Sequence, residues 1–125
     1  MVSYEFQGNV FRLTLEGEYS TADIRHAIDA ALASPDYPDD AIFLFDASRS
    51  TALGSRSAGE LRDMAAFIAA RSARFNGRLG MVATGELHFG LLRMGEVYSE
   101  NHGMEARVFT SDEDALTWLA STPRS

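Results

Sequence analysis

Residues 41–45, AIFLF, followed by Asp46, constrain this chain more than any other stretch. A short unbroken apolar run between polar flanks reads as a strand buried on both faces, as found in parallel sheets sandwiched by helices. Asp46 is expected to end the strand. A loop should follow, rich in hydroxyls and carrying two cations, and a strongly helical pattern begins at Ser57. In open α/β sheets, ligands and partners meet the crevice beyond the carboxyl ends of the strands. Asp46, Ser48, Arg49, Ser50, Ser55, Arg56 and Ser57 are therefore the candidate binding or regulatory residues.

The rest of the chain alternates around this segment. Residues 4–7 and 10–16 read as two strands joined by Gly8-Asn9, a pair suited to a tight turn with positive φ. Phe11, Leu13 and Leu15 share one face of the second strand, and Arg12, Thr14 and Glu16 the other. Ser20 is a good N-cap for an amphipathic helix through Ile24, Ala27, Ile28, Ala31 and Leu32, stopped at Ser34-Pro35. A second helix is expected over 57–75, with Leu61, Met64, Ala65, Ile68 and Phe75 along one stripe and Asn76-Gly77 as its stop. Residues 79–83 form the next strand.

A third helix over 86–102 carries Leu87, Leu91, Met94 and Tyr98 on one face, with Phe89, Leu92 and Val97 widening its apolar surface. Such breadth is covered by another helix, lines a pocket or forms a dimer face. Phe89, Leu92, Met94 and Tyr98 are the candidates for a pocket or interface. Residues 105–109 give the last strand, and Ser111 with Asp114 begins the last helix. The order β-β-α-β-α-β-α-β-α implies one α/β domain over residues 1–125, a mixed sheet with helices packed on it.

Composition removes several kinds of chemistry. The chain has no cysteine, so disulfides, thiolate catalysis and the usual structural zinc sites are excluded. All 11 cations are arginine, which excludes a Schiff base, a lysine general base and a Walker-type phosphate loop. A net charge of −7 argues against nucleic acid and against an anionic membrane surface. No apolar run approaches the roughly 20 residues that span a bilayer, and the first residues lack the pattern of a secretory signal; a cytoplasmic location is the expectation. No cofactor is expected. His88 and His102 lie about 21 Å apart along one helix and cannot share an ion within one chain. His26, flanked by Asp23 and Asp29, reads as a solvated surface residue.

Three segments, FLFDAS (43–48), HFGLLRM (88–94) and VFTSDEDALTWL (108–119), resemble the bacterial SpoIIAA-like family, which shares the STAS fold and is often grouped with the CRAL-TRIO lipid-binding domains. The resemblance implies a non-enzymatic module, and the expectation is a binding or regulatory domain that engages a protein partner or a small apolar ligand near the 46–57 loop, after the central strand, and the start of the third helix. It also implies, from the best understood STAS relatives, an antagonist of an anti-sigma factor switched by phosphate on a serine at the start of the helix after the central strand. Here Ser55 and Ser57 match that position, although Gly54 and Arg56 replace an aspartate and a serine of the usual motif. A phosphate there would sit at a helix N-terminus, where free amides and the helix dipole favour an anion. A plain helix cap accounts for the same serines. A serine hydrolase using Ser57, Asp46 and His88 is the remaining alternative, weakened because Ser57 lies too far past the strand for a strained nucleophile elbow.

Overall fold

The computed structural model describes residues 1–51 and 57–121. A five-stranded sheet runs in the order β1 (Val2–Gln7), β2 (Val10–Gly17), β3 (Ile42–Ser50), β4 (Arg78–Val82), β5 (Glu105–Phe109). β1 is antiparallel to β2, and the remaining neighbours are parallel. Helices α1 (Thr21–Ala33), α2 (Ala58–Ala69), α3 (Glu86–Asn101) and α4 (Asp112–Ala120) connect and follow the strands. This is the expected order, with β3 at the centre.

Strand alternation sorts the side chains between two layers. Phe11, Leu13, Leu15, Phe43, Phe45, Leu79, Met81, Ala106 and Val108 point to one face and form the main core with Ile24, Ile28, Ile68 and Leu92 of α1, α2 and α3. Phe11 and Phe43 stack there with ring centroids 4.5 Å apart. Each parallel crossover returns its helix to the same side, as the right-handed rule requires. Among the described helices only α4, after the last strand, reaches the other face, where Ala115 and Leu119 cover Ile42, Leu44 and Val82. α4 lies over β3, β4 and β5. The same face of β1 and β2, bearing Ser3, Glu5, Gln7, Arg12, Thr14 and Glu16, is left as a polar groove beside it.

Gly80 explains how closely α4 approaches: a Cβ there would stand 3.1 Å from Leu119 Cδ1. At the far end of α4, the buried Arg78 donates to the Trp118 carbonyl at 2.7 Å and lies over the Trp118 ring. A cation at a helix C-terminus is favoured by the helix dipole.

Three expectations are corrected. β3 does not end at Asp46 but continues to Ser50, so Ser48, Arg49 and Ser50 belong to a strand and not to a loop. The physical reason is a bulge: Thr14 pairs with Asp46 while Glu16 pairs with Arg49, so β3 carries one extra residue. The second helix stops at Ala69, and the rest is a 3₁₀ turn, Ser72–Phe75, ending on Asn76 at φ 58°. On α3 the buried residues are Leu92 and Ser99, whereas Leu87 is 64% exposed, Val97 55% and Met94 38%. Its apolar stripe is thus offset from the face that packs, which is carried by Leu92 and Ser99.

Candidate functional site

The extra residue of β3 needs a partner for the amide it takes out of the ladder, and Asp46 supplies it. Asp46 Oδ1 accepts the Ser48 N–H at 3.0 Å and the Ser48 hydroxyl at 2.6 Å. Its other oxygen accepts from Arg12 Nη2 at 2.6 Å, and the same nitrogen donates to Asp112 Oδ2 at 2.6 Å. β2, β3 and the first turn of α4 are tied at one guanidinium. Burial alone would raise the Asp46 carboxyl, which is 5% exposed, but the bonds from Ser48 and Arg12 outweigh it and leave the group below its ordinary value. Burial likewise opposes the charge of Arg12, and Asp112 and Asp46 outweigh it, holding the guanidinium above its ordinary value. An acid with its oxygens so occupied is an organiser of the strand end.

Beyond Asp46 the expected residues separate. Arg49 is exposed and lies 3.6 Å from Glu16. Ser50 is buried and shares a hydrogen bond of 2.7 Å with the Tyr19 hydroxyl. The Ser48 carbonyl accepts from Thr84 Oγ1 at 3.0 Å, which ties β3 to the entry of α3. Ser57 is the N-cap of α2: its hydroxyl accepts the Glu60 N–H at 3.1 Å, and its own N–H donates to Glu60 Oε1 at 3.2 Å. Ser55 and Arg56 lie outside the described residues. His88 is carried by α3, on the sheet face opposite the Asp46 carboxylate, so the hydrolase set is not brought together by these bonds.

Tyr19 leads from the strand end to a cleft on the main-core side. Ile24 of α1, Leu61, Met64, Ala65 and Ile68 of α2, Leu92, Gly95 and Ser99 of α3, and Phe45, Leu79 and Met81 of the sheet line it, with Tyr19, Thr21 and Glu60. Its volume is about 50 Å³. Of the four candidates on α3, only Leu92 lines this cleft; Met94 is exposed, and Phe89 and Tyr98 are half-buried. The sequence reading missed Gly95 and Ser99, which open the space, and Tyr19, which links it to Ser50. Small residues at the i and i+4 positions of a helix were the available signal. It missed Glu96 too, whose carboxylate accepts the Val108 N–H at 3.0 Å and covers the free edge of β5.

Among the described residues no group of His, Cys, Asp or Glu side chains is placed to hold a metal ion. No helix among them is long and apolar enough to cross a membrane.

No protein-family model matches the chain. No curated protein matches it either. Among solved structures, it is similar to an uncharacterized protein of the DUF3478 family with a SpoIIAA-like fold, from Shewanella loihica PV-4, at 16% identity. The likeness covers 96% of this chain and 93% of that one, with a TM-score of 0.53. The chain has a SpoIIAA-like fold, as its three segments implied.

Proposed function

We propose that this chain is a non-catalytic binding module that takes a small apolar ligand into the cleft between α1, α2 and α3, beside the end of β3. The observation behind this reading is the wall itself. Ile24, Phe45, Leu61, Met64, Ile68, Leu79, Met81 and Leu92 offer an almost continuous apolar lining, with a few polar groups, Thr21, Glu60 and Ser99, to orient an occupant. At about 50 Å³ the space admits only a few water-sized groups. A longer aliphatic occupant must part α2 from α3. The residues at that contact suit such movement, since Ala65, Gly95 and Ser99 are small and Met64 is unbranched and flexible.

Native mass spectrometry of the purified chain tests this reading. An apolar species carried through purification, or a fatty-acid probe retained at one per chain, is the expected result. A bare chain that retains no such probe would contradict it.

A second reading, a protein partner docking on α3, draws support from the exposure of Leu87, Met94 and Val97. A phosphate switch at Ser57 has weaker support, because its amide and hydroxyl are bound to Glu60, whose carboxylate would repel a phosphate.

A further inference from the structure

The two edges of the sheet are treated differently. On β5, Glu96 caps an outward amide. On β1 no such guard stands among the described residues, and the chain has no lysine to supply the commonest one. The backbone bonding shows which groups are open. Met1 and Glu16 exchange both backbone hydrogen bonds, one of them at 2.8 Å. Antiparallel pairs alternate, so Ser3, Glu5 and Gln7 turn their N–H and C=O groups toward β2, and Val2, Tyr4 and Phe6 turn theirs to the free edge.

From this we propose that a second copy of the chain adds its β1 to this edge, antiparallel, with Tyr4 on the two-fold axis. The outward groups meet only in registers where paired residue numbers sum to an even value. With Tyr4 opposite the partner's Tyr4, Val2 faces the partner's Phe6 and Phe6 faces the partner's Val2, so all the open groups are paired. The apolar side chains then meet one another on the α1 side, and Glu5 faces the partner's Ser3 on the other. Moving one step toward the turn sets Glu5 against the partner's Glu5, a like-charge pair. Moving the other way sets Ser3 against the partner's Ser3 and takes Phe6 past the partner's Met1, out of its apolar contact with the partner's Val2. One register therefore satisfies hydrogen bonds, apolar contact and charge together. Tyr4 is 38% exposed, and the groove beside it, lined by Met1, Val2, Asp23, His26 and Ala27, leaves space for an opposing ring. The interface would continue the sheet across both copies and stands on the side away from the cleft between α2 and α3.

Size-exclusion chromatography with light scattering, run on the full chain over a wide concentration range, reads the assembly. Tyr4→Pro removes only an outward donor and leaves the β1–β2 ladder intact. The expected result is a wild-type dimer and at least about tenfold weaker association in Tyr4→Pro. Tyr4→Lys keeps every backbone group but places two ammonium groups on the axis, and it should weaken the dimer as well, whether or not the proline variant folds. Because the chain has no cysteine, register can be read directly. Tyr4→Cys should form a symmetric disulfide, since facing Cα atoms stand about 5.5 Å apart, and Glu5→Cys should not. A monomer at every concentration, undiminished association in Tyr4→Lys, or equal cross-linking at positions 4 and 5 would overturn the proposal.

Discussion

Arg12 of β2 and Asp46 of β3 meet at 2.6 Å on the sheet face that α4 shares, both largely buried. Their side chains come together because they share one face of neighbouring parallel strands, offset by two residues: Arg12 pairs with Leu44, and Asp46 with Thr14. The Asp46 carboxylate also holds the bulge of β3 through Ser48. One carboxylate thus joins the ion pair to the bulge behind the strand end that carries Ser50 toward Tyr19 and the cleft.

Removing Arg12 leaves Asp46 buried and unpaired, so Arg12→Met should destabilise the fold by about 2–4 kcal/mol. Asp112 is the outer partner of the same guanidinium, with its side chain 49% exposed, and Asp112→Asn should cost only ~0–1 kcal/mol. Urea denaturation of the two variants beside wild type checks the order.

The same pair sets an acid limit. A carboxylate whose pKa in the folded chain is below its unfolded value adds stability above the unfolded value and loses it as pH falls through the folded one. Asp46 is shifted in that direction, and so is exposed Asp23, chiefly through the Ser20 amide and then its hydroxyl. Stability should therefore be level near neutrality and fall below about pH 4. The Asp46→Asn variant should be less stable at neutral pH and show a shallower fall in acid, measured as the denaturation midpoint against pH.

Gly80 is the place where α4 presses on the sheet. Gly80→Ala drives a methyl against Leu119, with contacts of 3.1 and 3.2 Å, and should destabilise by about 1–3 kcal/mol despite the better strand propensity of alanine. Leu119→Ala in the same chain should relieve part of that clash. A double-mutant cycle in thermal or urea unfolding measures the coupling.

The layers of this fold were legible because hydrophobic period is a local signal. Phe11, Leu13 and Leu15 announce a one-sided strand, and the 41–45 run a doubly covered one, and both stand as expected. The strand extension past Asp46 was not legible. A bulge depends on register between β2 and β3, and register is a property of two strands with 24 residues between Gly17 and Ile42. Helix α3 misled for a related reason. Its large residues suggested the packed face, yet the buried positions are Leu92 and the small Ser99, with Gly95 beside them lining open space. The cleft, formed by residues of α1, α2, α3, the strands β3 and β4 and the loop at Tyr19, has no contiguous trace in sequence.

Gly95 also offers the most direct test of the cleft. It lines the space, and a Cβ built on it meets nothing within 4 Å, so a larger side chain enters the cleft without disturbing the helix. Replacing a helix-interior glycine should itself stabilise α3 by about 0.5–1 kcal/mol. Titration of an environment-sensitive aliphatic fluorophore into wild type and Gly95→Leu therefore separates binding from folding. Saturable binding to wild type, lost in a Gly95→Leu variant of equal or higher melting temperature, is the predicted result. Equal binding by both, or none by either, would contradict a ligand site between α2 and α3.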